Sequence, residues 1–147
     1  CKTLDETWLH QATLVPVPPS KAKTDPLYDD RMARMLALIN KASGADVREL
    51  VLQTASMAAA HEGDRPTIQE LINNYRIDED EAKTPPRIIG VFDDLVTSGC
   101  HFKAMQDVLR DRFPNIPVIG LFVARRVPEE AEAIDLDGLL ARLRGEK

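Results

Sequence analysis

Residues 87 to 101 of the chain read Arg87-Ile88-Ile89-Gly90-Val91-Phe92-Asp93-Asp94-Leu95-Val96-Thr97-Ser98-Gly99-Cys100-His101. The segment 87–92 is apolar almost throughout, which is the pattern of a parallel strand buried on both faces of a sheet. The acidic pair that follows predicts a loop. Apolar residues then recur at helical spacing up to Phe113, where Pro114 and Asn115 end the pattern. This part of the chain therefore predicts a strand, a polar loop and a helix.

Apolar segments of the same kind occur before and after this strand. They are Ala12-Thr13-Leu14-Val15-Pro16-Val17 and Val118-Ile119-Gly120-Leu121-Phe122-Val123. Helical spacing predicts further helices over residues 29–41, from residue 68 to Tyr75 and over residues 136–143, and a short strand is predicted over residues 49–53. Strands that alternate with helices predict an α/β fold, with a parallel sheet flanked by helices on both faces in a Rossmann-like three-layer arrangement.

Length and composition narrow the function classes. The 147 residues are about the size of one domain, so we expect residues 1–147 to form a single domain, with an N-terminal element missing before Cys1. The 19 basic and 24 acidic side chains give a net charge of −5, which argues against broad nucleic-acid binding. No apolar run approaches about 18 residues and no leader pattern is present, which predicts a cytoplasmic protein without a membrane span.

The polar loops that follow the three strong strands are the candidate ligand-binding segments. They are Ser20-Lys21, residues 93–99 and Arg125-Arg126. In parallel α/β sheets, ligands bind beyond the carboxyl ends of the strands, where these loops are expected to meet. A cluster of charges at Asp25, Asp29, Asp30 and Arg31 is typical of the start of a helix and is interpreted in that way.

The loop over residues 93–99 combines two kinds of ligand group. Two carboxylates accept hydrogen bonds from paired hydroxyls or hold a divalent cation. The Thr97-Ser98-Gly99 turn opens a helix, whose free N–H groups attract an anion. Such a site suits a vicinal diol beside a phosphate, as in ribose 5-phosphate. The same residue types also serve as ordinary helix caps, and this alternative stays open.

This segment resembles the phosphoribosyl pyrophosphate (PRPP) signature of type I phosphoribosyltransferases, which has an apolar strand, two acids, two variable residues and Thr-Ser-Gly. ComF-type members are the most similar, because they also have a strand that ends like Val15-Pro16-Val17-Pro18 and an apolar strand followed by Arg, like Val123-Ala124-Arg125. The resemblance spans residues 12–126. It implies the type I phosphoribosyltransferase fold, and a cis peptide in the loop after the first strand.

The resemblance also implies roles for individual residues. Asp93 and Asp94 would be the catalytic pair that holds the 2- and 3-hydroxyls of the ribose. The implied ribose 5-phosphate-binding residues are Asp93, Asp94, Thr97, Ser98, Gly99, Cys100 and His101. The implied pyrophosphate-binding residues are Ser20, Lys21, Lys23 and Arg65. Cys100 and His101 depart from the family pattern, which has a small residue and then Thr at these positions.

The implied reaction is the displacement of pyrophosphate from C1 of PRPP by an unidentified nitrogenous base, or its reverse, with Mg²⁺ carried by PRPP and no metal site on the protein. The departures at Cys100 and His101 leave a second interpretation, a catalytically inactive module of the same fold that binds a phosphoribosyl ligand or a partner protein. Such a module would belong to a larger assembly. For the protein in general, the expected context is a homo-oligomer or a larger protein. Cys100 at a helix start could also be a reactive thiol, although no group that would orient a Cys–His pair is evident.

Overall fold

The computed structural model describes residues 6–57, 66–96 and 98–125. In chain order the elements are α1 (Glu6–Leu9), β1 (Ala12–Pro16), α2 (Arg31–Ser43), β2 (Asp46–Val47), β3 (Val51–Gln53), α3 (Ile68–Asn74), β4 (Tyr75–Ile77), β5 (Ile88–Val96), α4 (Cys100–Arg112) and β6 (Val118–Arg125). None of the helices in these ranges is long and apolar enough to cross a membrane. The helix predicted over residues 136–143 lies outside the described residues.

The main sheet has four parallel strands in the order β2-β1-β5-β6. The three strands predicted from apolar segments are therefore direct neighbours in it, and the predicted α/β fold with a parallel sheet is confirmed. The short strand predicted over residues 49–53 is also present, as β3. It lies outside the main sheet, in an antiparallel pair with β4.

Helices cover both faces of the main sheet, because successive residues of a strand point to opposite faces. Leu14 of β1 packs with Met32 and Leu36 of α2 in one hydrophobic cluster. Its neighbour Val15 packs in a second cluster with Met105 of α4 and with residues of α3, β3 and β4. Strands β1 and β5 contribute to both clusters, which explains why their sequences are apolar almost throughout rather than alternating.

Strand β5 is longer than the sequence pattern predicts. Asp93 and Asp94, predicted to lie in a loop, continue the strand, because β6 pairs with β5 as far as Val96 opposite Arg125. The two acidic side chains consequently alternate across the sheet. Asp93 lies on the side of Val91 and α4, whereas Asp94 lies on the side of Phe92 and α2.

Helix α3 is shorter than predicted. It begins after Thr67, whose hydroxyl accepts a hydrogen bond from the Glu70 N–H while the Glu70 carboxylate accepts one from the Thr67 N–H. It ends at Asn74, since Tyr75 is extended and pairs with Gln53 of β3. Tyr75 was predicted as the last apolar residue of the helix, and it is instead a buried residue of β4.

Proline at the end of β1 is compatible with an interior strand for a local reason. The N–H of Val17 donates to the Phe92 carbonyl of β5, so the nitrogen of Pro16 faces the opposite side, towards β2. The last β2 residue in that ladder is Val47, which lies opposite Leu14. The N–H of Arg48 still donates to the Leu14 carbonyl at 3.0 Å, so the missing N–H of Pro16 affects only the next bond, at the end of this ladder. All peptide bonds of the described residues are trans, so the cis peptide expected in the following loop is absent there.

Candidate functional site

A cleft of about 170 Å³ opens at the carboxyl ends of β1 and β5. Four chain segments form it: the loop after β1, the start of α2, the end of β5 and the start of α4. The lining residues are Val17, Pro18, Pro19, Ser20, Asp29, Arg31, Met32, Asp93, Asp94 and His101. The cleft thus lies at the edge of the sheet where the parallel topology predicts a ligand.

The loop after β1 is held in place by the second sheet. The carbonyl of Ser20 accepts a hydrogen bond from the side-chain amide of Gln53 and another from the N–H of Met57, at 2.8 Å. The hydroxyl of Ser56 accepts a hydrogen bond from the N–H of Ala22 at 3.0 Å. These contacts fix the backbone of the loop that forms one wall of the cleft.

Asp93 is the most perturbed acid at the cleft. Burial, and secondarily the nearby charge of Asp94, raise the pKa of the Asp93 carboxyl to about 6. The backbone N–H of Asp94 donates to Asp93 Oδ1 at 3.0 Å and partly offsets this rise. A carboxyl that titrates this close to neutral pH accepts or releases a proton readily in the physiological range.

Asp94 has a cationic partner on the other side of the strand. Its Oδ2 lies 3.2 Å from Arg31 Nη2, and the Nε of the same guanidinium lies 3.7 Å from Asp29. Arg31 is the only basic Lys or Arg side chain among the described residues that line this cleft. The sequence pattern had assigned Arg31 to the electrostatics of a helix start. The sequence placed Arg31 near the start of a helix predicted over residues 29–41, but no motif distinguished it from the other residues of that charged cluster.

The start of α4 contributes to the cleft on the side of β5 where Asp93 lies. Gly99 precedes the helix with a φ of 75°, a left-handed conformation that glycine adopts without strain. The hydroxyl of Ser98 donates to Cys100 Sγ at 3.2 Å. His101 is largely buried and its Nδ1 lies 2.9 Å from the hydroxyl of Tyr75. Burial lowers the pKa of His101, so its ring is neutral at pH 7.

The predicted site residues are only partly brought together. Ser20, Asp93, Asp94 and His101 line the cleft. Ser98, Gly99 and Cys100 line a smaller pocket that shares Asp93 and His101 with it. Thr97 and Arg65 lie outside the described residues, as does Arg126.

The two lysines predicted to bind pyrophosphate do not line the cleft. Lys21 Nζ donates to the carbonyl of Met57 at 3.1 Å, and Lys23 Nζ forms an ion pair of 2.5 Å with Glu49. Both line a neighbouring pocket on the β3 side of the loop after β1 rather than the cleft itself.

Tyr75 is the functional candidate that the sequence did not indicate, because it was interpreted as a packing residue of a helix.

The composition of the cleft determines which ligands it can hold. Three carboxylates, those of Asp29, Asp93 and Asp94, line it together with one guanidinium, that of Arg31. Carboxylates accept hydrogen bonds from hydroxyl groups, and the start of α4 offers N–H groups to an anion. A strongly anionic ligand would need to bring its own cation. In the described part of the chain, no group of three or more His, Cys, Asp or Glu side chains is arranged to hold a metal ion.

We compared the chain with protein-family models, with curated proteins and with solved structures, and none of these three comparisons gives a match.

Proposed function

We propose that the chain binds Mg-PRPP in this cleft and exchanges pyrophosphate for a nitrogenous base at C1 of the ribose. One observation carries the proposal. The acidic pair at the end of β5 and the glycine-led start of α4 lie side by side at the carboxyl edge of a parallel sheet. A diol acceptor and an anion-binding helix start are the two groups that a ribose 5-phosphate requires.

In this proposal the cleft holds the ligand at two points. The 2- and 3-hydroxyls donate to the carboxylates of Asp93 and Asp94, which accept hydrogen bonds when ionised. The 5-phosphate lies against the start of α4, where Gly99 leaves room for its close approach because a Cβ at this position would meet no atom within 4 Å. The phosphate would then benefit from the free N–H groups of the first helical turn.

The charge of the cleft explains why the proposal includes Mg²⁺. Because acids outnumber bases at the cleft, pyrophosphate would be repelled unless a cation accompanied it. Mg²⁺ binds readily through substrate phosphates and keeps several of its waters, so it would arrive as part of the ligand. Arg31 is the protein cation placed to contact the departing pyrophosphate. To do so, its guanidinium leaves Asp94 and contacts the ligand instead.

The proposed reaction depends mainly on how the cleft positions the two reactants. The bond from C1 to the pyrophosphate oxygen breaks, a bond from C1 to the nitrogen of the base forms, and the ribosyl group carries positive charge between these events. Holding the diol and the phosphate aligns C1 with both partners, and the nearby carboxylates stabilise the developing positive charge. The pKa of about 6 at Asp93 also allows this carboxyl to take a proton from the incoming base.

The test is a calorimetric titration with PRPP and Mg²⁺. The wild-type chain is expected to show saturable binding that the double variant Asp93→Asn/Asp94→Asn loses. The matched control is Asp80→Asn/Glu81→Gln, which changes the net charge equally at two exposed positions away from the cleft and should bind normally. Failure of the wild-type chain to bind at millimolar ligand would refute the proposal.

A second candidate is supported by the orientation of the basic side chains. Lys21 and Lys23 are engaged by Met57 and Glu49, so fewer cations face the cleft than pyrophosphate release would use. The alternative function is binding of a phosphoribosyl ligand without turnover. Release of pyrophosphate from PRPP, measured with a panel of nitrogenous bases, separates the two candidates: binding without release would favour the inactive module.

A further inference from the structure

The pair formed by Tyr75 and His101 joins the second sheet to the cleft. Tyr75 is the first residue of β4 and is 6% exposed, and His101 is the second residue of α4. The phenolic oxygen lies 2.9 Å from Nδ1 of the imidazole. Among the described residues, neither of these two side chains makes another hydrogen bond.

The positions of the protons follow from the protonation states. Burial raises the pKa of Tyr75, and the charge of Asp93 adds to this, so the phenol keeps its proton. The imidazole is neutral because burial lowers the pKa of His101, and it therefore carries one N–H. Two arrangements are possible: either the phenol donates to Nδ1, or Nδ1–H donates to the phenol oxygen.

Hydrogen-bond satisfaction distinguishes the two arrangements. If Nδ1–H donated, the buried phenol O–H would have no acceptor among the described residues, which is costly for a buried donor. If the phenol donates, the phenol O–H and Nδ1 are both satisfied, and the remaining imidazole proton resides on Nε2. The histidine lines the cleft together with Asp93, so this second nitrogen belongs to the ring edge that is left for a ligand.

We infer that Tyr75 is a positioning residue that holds His101 in the Nε2–H tautomer, so that the ring offers a neutral N–H donor to a phosphate oxygen of the ligand. The inference rests on the proposed function for the identity of the ligand, but not for the tautomer. The charged groups that share the cleft with the ring are Asp93 and Asp94 from β5, Asp29 before α2, and Arg31 from α2.

A neutral donor has a specific consequence in an acidic cleft. A histidinium would add a positive charge to the cleft that Asp93 lines and would compete with the hydroxyls of the ligand for that carboxylate. A neutral ring leaves Asp93 available and still replaces the hydroxyl donor that the resemblance to phosphoribosyltransferases expects at this position. His101 would thus contribute a hydrogen bond to the phosphate without adding a charge.

The tautomer is measured directly by long-range ¹H–¹⁵N NMR of the full chain labelled on histidine, near pH 7 and without ligand. The wild-type spectrum is expected to show the Nε2–H pattern for His101, and Tyr75→Phe is expected to produce a mixture of both tautomers. An Nδ1–H pattern in the wild-type chain, or a Tyr75→Phe spectrum identical to it, overturns the inference. Thermal unfolding of Tyr75→Phe verifies that the variant is folded.

The donor role is measured by titrating ribose 5-phosphate into two amide variants. His101→Gln keeps an N–H near the place of Nε2, whereas His101→Asn keeps one near the place of Nδ1. His101→Gln is expected to retain most of the affinity and His101→Asn to lose roughly tenfold, the effect of about one hydrogen bond to a charged group. Equal loss in both variants, or a greater loss in His101→Gln, overturns the donor role.

The two readouts separate failure of the inference from failure of the proposed function. If the wild-type chain does not bind ribose 5-phosphate, the donor role fails together with the proposed function. The tautomer assigned to His101 is then still decided by the NMR spectrum alone.

Discussion

Asp93, at the candidate site, lowers the stability of the folded chain at neutral pH. Its pKa of about 6 in the folded chain exceeds the ordinary value of 3.8, chiefly because the carboxyl is buried. Between these two values the folded chain binds more protons than the unfolded chain. The free energy of unfolding therefore falls as the pH rises from about 4 to about 6, and stays lower above that range.

We predict that Asp93→Asn is more stable than the wild-type chain above about pH 6, by about 1–2 kcal/mol. This value is reduced from the full linkage energy because the side chain is partly exposed. The gain should vanish near pH 4, where the carboxyl is protonated in the folded chain. Urea unfolding at several pH values measures this, and Asp80→Asn, at an exposed position, should follow the wild-type profile. A pH-independent difference would show that burial of charge at Asp93 is not the cause.

The basic side chains lead to a second prediction at this scale. Arg31 lines the cleft, whereas Lys23 is paired with Glu49 beyond it. We expect Arg31→Gln to weaken Mg-PRPP binding by about tenfold or more, because it removes a charged hydrogen-bond donor, and Lys23→Gln to change it by less than about threefold. Both variants remove one positive charge, so equal effects in calorimetry would indicate a general charge effect instead of a contact.

At the scale of elements, the start of α4 depends on one backbone conformation. Gly99 and Gly44 both have a positive φ, 75° and 70°, and a Cβ at either position would meet no atom within 4 Å. Alanine at either position would therefore lower the free energy of unfolding by about 1 kcal/mol, because the only cost is that of holding alanine in the left-handed conformation. The two glycines differ in place, since Gly44 ends α2 and Gly99 begins α4 beside Asp93.

We predict that Gly99→Ala and Gly44→Ala lower the free energy of unfolding by similar amounts, but that only Gly99→Ala weakens the binding of ribose 5-phosphate. Denaturant unfolding provides the first comparison, and calorimetric titration at matched temperature provides the second. A loss of binding in Gly44→Ala of the same size would attribute the effect to stability rather than to the geometry of the helix start.

Element boundaries mark where reasoning from sequence reached its limit. The apolar segments located β1, β5 and β6 correctly, although only β1 and β5 are buried on both faces; β6 is the last strand of the described sheet, and its Ile119 and Val123 are exposed. The pattern could not show that β5 continues through Asp93 and Asp94, since that extension depends on pairing with β6, a contact between distant residues. Tyr75 was misassigned for the same reason: helical spacing held up to this residue, but pairing with Gln53 overrode it.

The candidate site was predictable to a similar degree. The end of the central strand and the start of the next helix follow from the order of elements, so Asp93 and His101 could be expected near one another. The sequence could not show that Arg31 is the cation that lines the cleft, because this depends on where α2 begins relative to the loop after β1. Side-chain orientation at Lys21 and Lys23 depends on Met57 and Glu49, which no local motif connects to them.

For the whole molecule, the two hydrophobic clusters share the strands that separate them. Leu36 lies in the cluster on the α2 side and Met105 in the cluster on the α4 side, and both are fully buried. We predict that Leu36→Ala and Met105→Ala each lower the free energy of unfolding by about 2–5 kcal/mol, because each leaves a cavity in a packed core. Both variants should still unfold in a single transition.

The measurement is urea unfolding followed by two probes, far-ultraviolet circular dichroism and the fluorescence of Trp8, which packs against the cluster on the α2 side. Coincident curves are expected because β1 and β5 belong to both clusters. If Met105→Ala shifted the circular dichroism curve but left the Trp8 curve unchanged, the two faces of the sheet would be folding units of their own, contrary to this prediction.

The nitrogen of Pro16 faces the side on which β2 has already ended, and this has a consequence for how the sequence can vary. Arg48 already donates to the Leu14 carbonyl, so a residue with an N–H at position 16 would complete the next ladder hydrogen bond, to the Arg48 carbonyl, and extend β2. Proline at this position therefore keeps β2 short, and a variant with a restored N–H is expected to have a longer β2.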